Sequence, residues 1–212
     1  MQNDTDYLDD LTVIRTLMQR SSRFISLSGL SGVFAGLFAL AGAAVAYQRL
    51  SAGEPDDPYA DGLRRIEAMD WDLVVFLLVD AAMVLSASVA AAVYFTTRKS
   101  RKAGVKPWDA VSKRLVINLA VPVAAGGIFC AALLYHGAVA FVVPAMLLFY
   151  GMGLLNGSKY TLDDIRYLGL CEIGLGLAAS FMVGYGFAFW CIGFGVLHVL
   201  YGAMMYFKYD RG

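Results

Sequence analysis

Residues 71–95 read WDLVVFLLVDAAMVLSASVAAAVYF, and past Asp72 the only charged residue among them is Asp80. As a helix this stretch reaches about 37 Å at ~1.5 Å rise per residue, enough for a hydrocarbon core of ~30 Å. Its apolar run is continuous, which excludes the strict alternation of a membrane β-barrel strand. Without water in the bilayer, backbone polar groups must be satisfied inside the segment, so an isolated apolar span folds as a helix.

Five further stretches have the same character: residues 24–47, 115–135, 138–155, 167–185 and 187–207. The composition agrees. Of 212 residues 59% are hydrophobic and 16% charged, where soluble domains have about 45–50% and ~25%. Mean hydropathy is +0.62. Lys+Arg and Asp+Glu both total 17, so the net balance gives no reason to expect nucleic acid. Cys130, Cys171 and Cys191 all lie in apolar segments, where free thiols behave as small inert hydrophobes.

The loops orient the bundle. With the N-terminus on the cytoplasmic side, fourteen Lys and Arg residues fall inside, and only Arg49, Arg64 and Arg65 fall outside. This asymmetry predicts a multi-pass membrane protein with both termini cytoplasmic. Ala44-Val45-Ala46 resembles a signal cleavage site. The apolar stretch before it is longer than the ~7–15 residues of a signal core, and the leader opens with Asp4, Asp6, Asp9 and Asp10. The first span is therefore expected to be retained.

The predicted architecture is all-α: an amphipathic cytoplasmic helix within 1–22, a six-helix transmembrane domain over 23–208, and a short cytoplasmic tail at 209–212. In the first segment Leu8, Leu11, Ile14, Leu17 and Met18 recur at helical spacing, which suits a helix lying in the membrane interface or one docking a cytoplasmic protein. His136-Gly137 and Gly186 are expected to close tight hairpins between the third and fourth and the fifth and sixth spans. The longer loop from Gln48 to Asp70 is acidic, matches no calcium-loop spacing, and reads as solvated. The basic run Arg98-Lys99-Ser100-Arg101-Lys102 can attract anionic lipid headgroups, while Trp108 and Val111 suggest a short interfacial helix. Thr161-Leu162-Asp163-Asp164 fits a capping box at the start of the fifth span. Each odd span opens with an arginine and apolar residues, a pattern that a triplicated hairpin or the cytoplasmic boundary alone would leave.

Small residues Gly29, Gly32, Gly36, Ala39 and Ala43 share one face of the first span. Such faces let backbones approach closely, within one chain or between two copies of it. Functional candidates are the ionisable groups inside the bilayer, where a charge costs at least ~2.5–3.5 kcal/mol. Glu172 lies about 9 Å and His198 about 15 Å from the cytoplasmic boundary at ~1.5 Å per residue. Each sits on a stripe of small residues: Gly169, Gly176 and Ala179 with Glu172, and Cys191, Gly195 and Gly202 with His198. If these stripes face each other, the two side chains can meet through one water. Asn118, one turn before Pro122, belongs to the same region, and Pro122 frees its carbonyl as an acceptor. Asp80 lies toward the outer side, at the other end of a path or paired with a hydroxyl such as Tyr135. This set predicts either a polar proton- or solute-handling site or an interhelical hydrogen-bond cluster.

No HExxH, GxSxG or Walker pattern occurs, and His136 and His198 lie at different depths, which argues against a bis-histidine haem. No enzymatic chemistry, cofactor or metal is expected. Finally, Ser21-Ser22-Arg23-Phe24-Ile25-Ser26-Leu27-Ser28-Gly29-Leu30-Ser31-Gly32 resembles the opening of uncharacterised bacterial six-helix membrane proteins of Bacteroidetes type. The resemblance is sharpest over 8–36 and implies an inner-membrane location without an assigned activity. The expected function is thus a small solute or ion transporter or channel built on Glu172 and His198, or a non-catalytic scaffold or sensor.

Overall fold

The computed structural model describes residues 27–52, 55–106 and 108–211. These form helices and turns, with no strand among them. We number the helices α1 (Gly29–Leu50), α2 (Pro58–Glu67), α3 (Trp71–Lys102), α4 (Ala110–Tyr135), α5 (Val139–Tyr160), α6 (Asp164–Phe181) and α7 (Val183–Asp210). Five of them, α1, α3, α4, α5 and α7, are long and apolar enough to cross a membrane. The sixth, α6, is shorter at 18 residues and carries Asp164, Arg166 and Glu172. The expected amphipathic helix at 5–20 lies outside the described residues.

Contacts at one end of the bundle gather the starts of α1 and α6 and the ends of α3 and α7. Lys99, near the end of α3, pairs with Asp210 at the end of α7 at 2.6 Å. The other oxygen of Asp210 accepts from Ser28 Oγ at 2.8 Å and from the Gly29 amide at 3.0 Å. A carboxylate from the last turn of α7 therefore occupies the positive N-terminus of α1. At the same end Asp164, opening α6, accepts from Lys208 Nζ at 3.1 Å and from Tyr209 Oη at 2.7 Å.

α1 and α5 form the interior. In their apolar stretches 39% of residues are buried, against 6% in α3 and α4. α3 packs on α1 and α4 on α5, while α7 packs against α1 and touches α5 and α6. The small-residue stripe of α1 serves contact within the chain. A side chain at Gly29 would strike the Tyr206 backbone, one at Gly32 the Gly202 Cα at 3.0 Å, and one at Gly36 the Gly195 carbonyl at 2.6 Å. Gly195 and Gly202 thus face α1, and Gly169 and Gly176 face α5, so the two stripes expected to oppose each other do not. The outward faces of α3 and α4 expose Val75, Val79, Met83, Ile117, Val121 and Ile128, an apolar area far beyond that of a soluble monomer.

Several local expectations are corrected. The turn between α6 and α7 falls at Met182, where φ −124° and ψ 50° break the helix, and Gly186 lies inside α7. His136-Gly137 does form the tight α4–α5 connection, Gly137 taking φ +72°. Val111 belongs to α4 itself, which Asp109 caps by accepting from the Ser112 amide at 2.7 Å. The acidic loop contains α2, with Asp57 as N-cap and Pro58 in the first turn, the position whose missing N–H costs least.

Candidate functional site

Glu172 sits mid-way along α6 with none of its surface exposed, and His198 on α7 is 6% exposed. Glu172 Oε1 lies 3.5 Å from His198 Nδ1. The two meet directly, with no room for the water that their spacing along the helices suggested. The local shape of α7 brings this about: Cys191–Leu197 is a π-helical stretch, a widened turn that recurs at functional positions. It sets the Gly193 carbonyl beneath the imidazole, 2.9 Å from Nδ1. A side chain at Gly193 would meet Glu172 Oε2 at 2.6 Å and Leu147 at 2.5 Å, so glycine is required there by close approach.

Acceptor chemistry fixes the imidazole tautomer. A carbonyl only accepts, so Nδ1 carries a proton directed at Gly193. In the neutral ring Nε2 is then an acceptor, and Tyr150 Oη donates to it at 2.7 Å. Both oxygens of Glu172 are left without a hydrogen bond. A fully buried carboxyl with two orphaned oxygens is uncommon, because such groups are costly unless satisfied or used. The arrangement sets a buried carboxyl beside the Nδ1–H of a neutral imidazole, with a phenol bonded to the far ring nitrogen.

Tyr150, on α5, is the member that the sequence did not reveal. Its signal is a hydroxyl-bearing aromatic next to Gly151 in an apolar run, but such residues are common in spans. Asn118 does not reach this site. Its backbone carbonyl and side-chain oxygen accept from Asn156 Nδ2 at 3.0 and 3.2 Å, and Lys159 donates to Asn156 Oδ1 at 3.1 Å. Asn118 thus joins α4 to α5 near the Lys159 end.

Asp80 is placed elsewhere again. It lines a half-open cavity of about 250 Å³ between α1, α2, α3, α4, α5 and α7, with Tyr59, Leu63 and Ile66 of α2 along one side. Among the described residues it has no hydrogen bond or ion pair, and the suggested Tyr135 hydroxyl is not its partner. Tyr135 is exposed, its ring set edge-on to His136. A row of rings connects the two regions: Trp190 on the cavity wall, then Phe194 at 5.4 Å, then Tyr150 at 5.1 Å from Phe194. No cluster of three His, Cys, Asp or Glu side chains suited to a metal occurs among the described residues.

These features are those of a helical membrane-protein bundle with a buried acid–imidazole pair. No family model, curated protein or solved structure matches the chain.

Proposed function

We propose that the chain is a six-span bacterial inner-membrane protein with both ends cytoplasmic, and that it moves a small solute or ion through a protonation cycle at Glu172 and His198. It would then belong with the uncharacterised six-helix proteins that its opening segment resembles. The antiparallel packing of α6 against α5 and α7 supports the sixth crossing. Lys99, Lys113, Arg114, Lys159 and Lys208 gather at one end of the bundle and Arg49, Arg64 and Arg65 lie toward the other, which supports the orientation. One observation carries the transport reading: Glu172 is wholly buried, 3.5 Å from His198, with no hydrogen bond to either oxygen. A carboxyl kept only for packing would be satisfied.

The test is proton uptake into liposomes holding the purified protein and a pH-sensitive dye, driven by a potassium diffusion potential. Wild type is expected to acidify the lumen faster than protein-free vesicles, and Glu172→Gln to lose that excess with an unchanged melting temperature. Equal flux in the variant, or none in wild type, overturns the reading.

A second reading is favoured by the sealing of the same site, since Glu172 has no exposed surface. In it the bundle is a non-catalytic scaffold or sensor that docks a cytoplasmic partner through residues 5–20. It predicts no flux, and a partner lost when Leu11 and Ile14 are both made polar.

A further inference from the structure

We propose that the cavity beneath α2 is a binding site for a small hydrophobic ammonium ion, its charge held by Asp80 and its body by the apolar wall. Intramembrane carboxylates pair with a cation or with one another, yet Asp80 has no partner among the described residues. It faces a cavity whose other walls are almost entirely apolar. Among the described residues nothing balances its charge, and a bound cation would.

Two further observations point to the same ligand. Tyr59, Phe187 and Trp190 bring three aromatic rings to the wall, with Tyr59 and Phe187 centroids 6.4 Å apart. Aromatic faces attract ammonium groups, most strongly where water is excluded. The Tyr59 hydroxyl is buried without a hydrogen-bond partner. Gly186 leaves room for it, since a side chain there would strike that oxygen. It can donate to a carboxylate or accept from a primary or secondary ammonium.

Size limits the class. A cavity of roughly 150 Å³ holds benzene, so about 250 Å³ takes one ring or a short branched chain with its ammonium. The covering side is a short helix outside the five long ones. α2 is ten residues long and presents Tyr59, Leu63 and Ile66 inward while Asp61 and Arg64 pair on its outer side at 3.6 Å. The site stands apart from the Glu172–His198 reading and does not depend on it.

The experiment compares benzyltrimethylammonium with neopentylbenzene, its uncharged carbon isostere, by saturation-transfer NMR on the full chain in phosphatidylglycerol nanodiscs, with empty discs as reference. The cation is expected to bind saturably and at least tenfold more tightly than the isostere. Asp80→Asn should remove that preference while both compounds still bind, and Leu77→Trp, which fills the cavity, should abolish both. Equal affinities in wild type overturn the proposal, and so does a preference that survives Asp80→Asn; the wild-type comparison decides even if a variant fails to fold. Competition on exchanging the lipid for phosphatidylethanolamine would identify an amine headgroup as the occupant, and indifference to that exchange would identify a free amine.

Discussion

The side-chain amide of Asn156 donates to the backbone carbonyl of Asn118 at 3.0 Å, the carbonyl that Pro122 leaves without its helical donor. α5 thus repairs a gap that proline opens in α4. Asn156→Ala should destabilise the bundle by about 1–3 kcal/mol, the cost of leaving this partly buried acceptor unsatisfied. In a Pro122→Ala background, where the amide is restored, that cost should shrink by more than half. Unfolding in detergent of the two single variants and the double variant measures the coupling.

Gly193 is held between Leu147 and Glu172. Gly193→Ala adds a methyl group where none fits, and overpacking of this kind costs about 1–3 kcal/mol. The loss should be partly recovered in a Gly193→Ala, Leu147→Val double variant, because the nearer clash is with Leu147. A melting temperature unchanged by Gly193→Ala would show that the π-helical stretch yields freely.

Asp210 accepts from Lys99, Ser28 and Gly29 at once. Its pair with Lys99 is mostly buried, so Asp210→Ala should cost about 1–3 kcal/mol, between the exposed and fully buried limits. Lys99→Met should cost less, because Asp210 keeps its two donors on α1. Thermal unfolding of both variants at neutral pH gives the order.

Asp70 caps α3 and is held below the usual carboxylate range, first by the Arg65 side chain bonded to it and then by the Leu73 amide. A lowered folded value means stability that is complete above the ordinary carboxylate pKa of about 4. It is lost as pH falls through the lower folded value. Asn caps helices as well as Asp, so Asp70→Asn removes only the charge. Wild type should melt above Asp70→Asn at pH 6, with the gap closing as pH drops below 4.

An apolar carbene reagent dissolved in the bilayer should label Met83 and Ile128 and spare Leu147. The first two are exposed on α3 and α4, and Leu147 is fully buried in α5. Labelling read by mass spectrometry checks the inside-out distribution of the helices. Comparable labelling of Leu147 would contradict it.

Hydropathy made the long apolar helices legible, since each such run has only one way to satisfy its backbone in a membrane. The meeting of Glu172 and His198 was also legible, but for a partly wrong reason. Their small-residue stripes pack on α5 and α1, and the π-helical stretch, invisible in composition, brings the two side chains together. Asn118 was assigned to the Glu172 region because its actual partner, Asn156, lies just past the apolar run 138–155, with nothing in the sequence to say which helix it meets. α2 was overlooked although Asp57-Pro58 and the spacing of Tyr59, Leu63 and Ile66 announce a capped amphipathic helix. The many acidic residues around it drew the reading toward a solvated loop.

The close fit of α1 against α7 has a consequence for how the chain is built. The ribosome delivers α1 well before α7, so Gly29, Gly32 and Gly36 wait with one face uncovered while the helices between them are threaded into the bilayer. Until α7 arrives, that face remains open to lipid or to a passing helix, and a ribosome stalled before residue 183 would leave α1 without the helix that fits it. Docking of α1 against α7 therefore waits on the synthesis of residues 183–210.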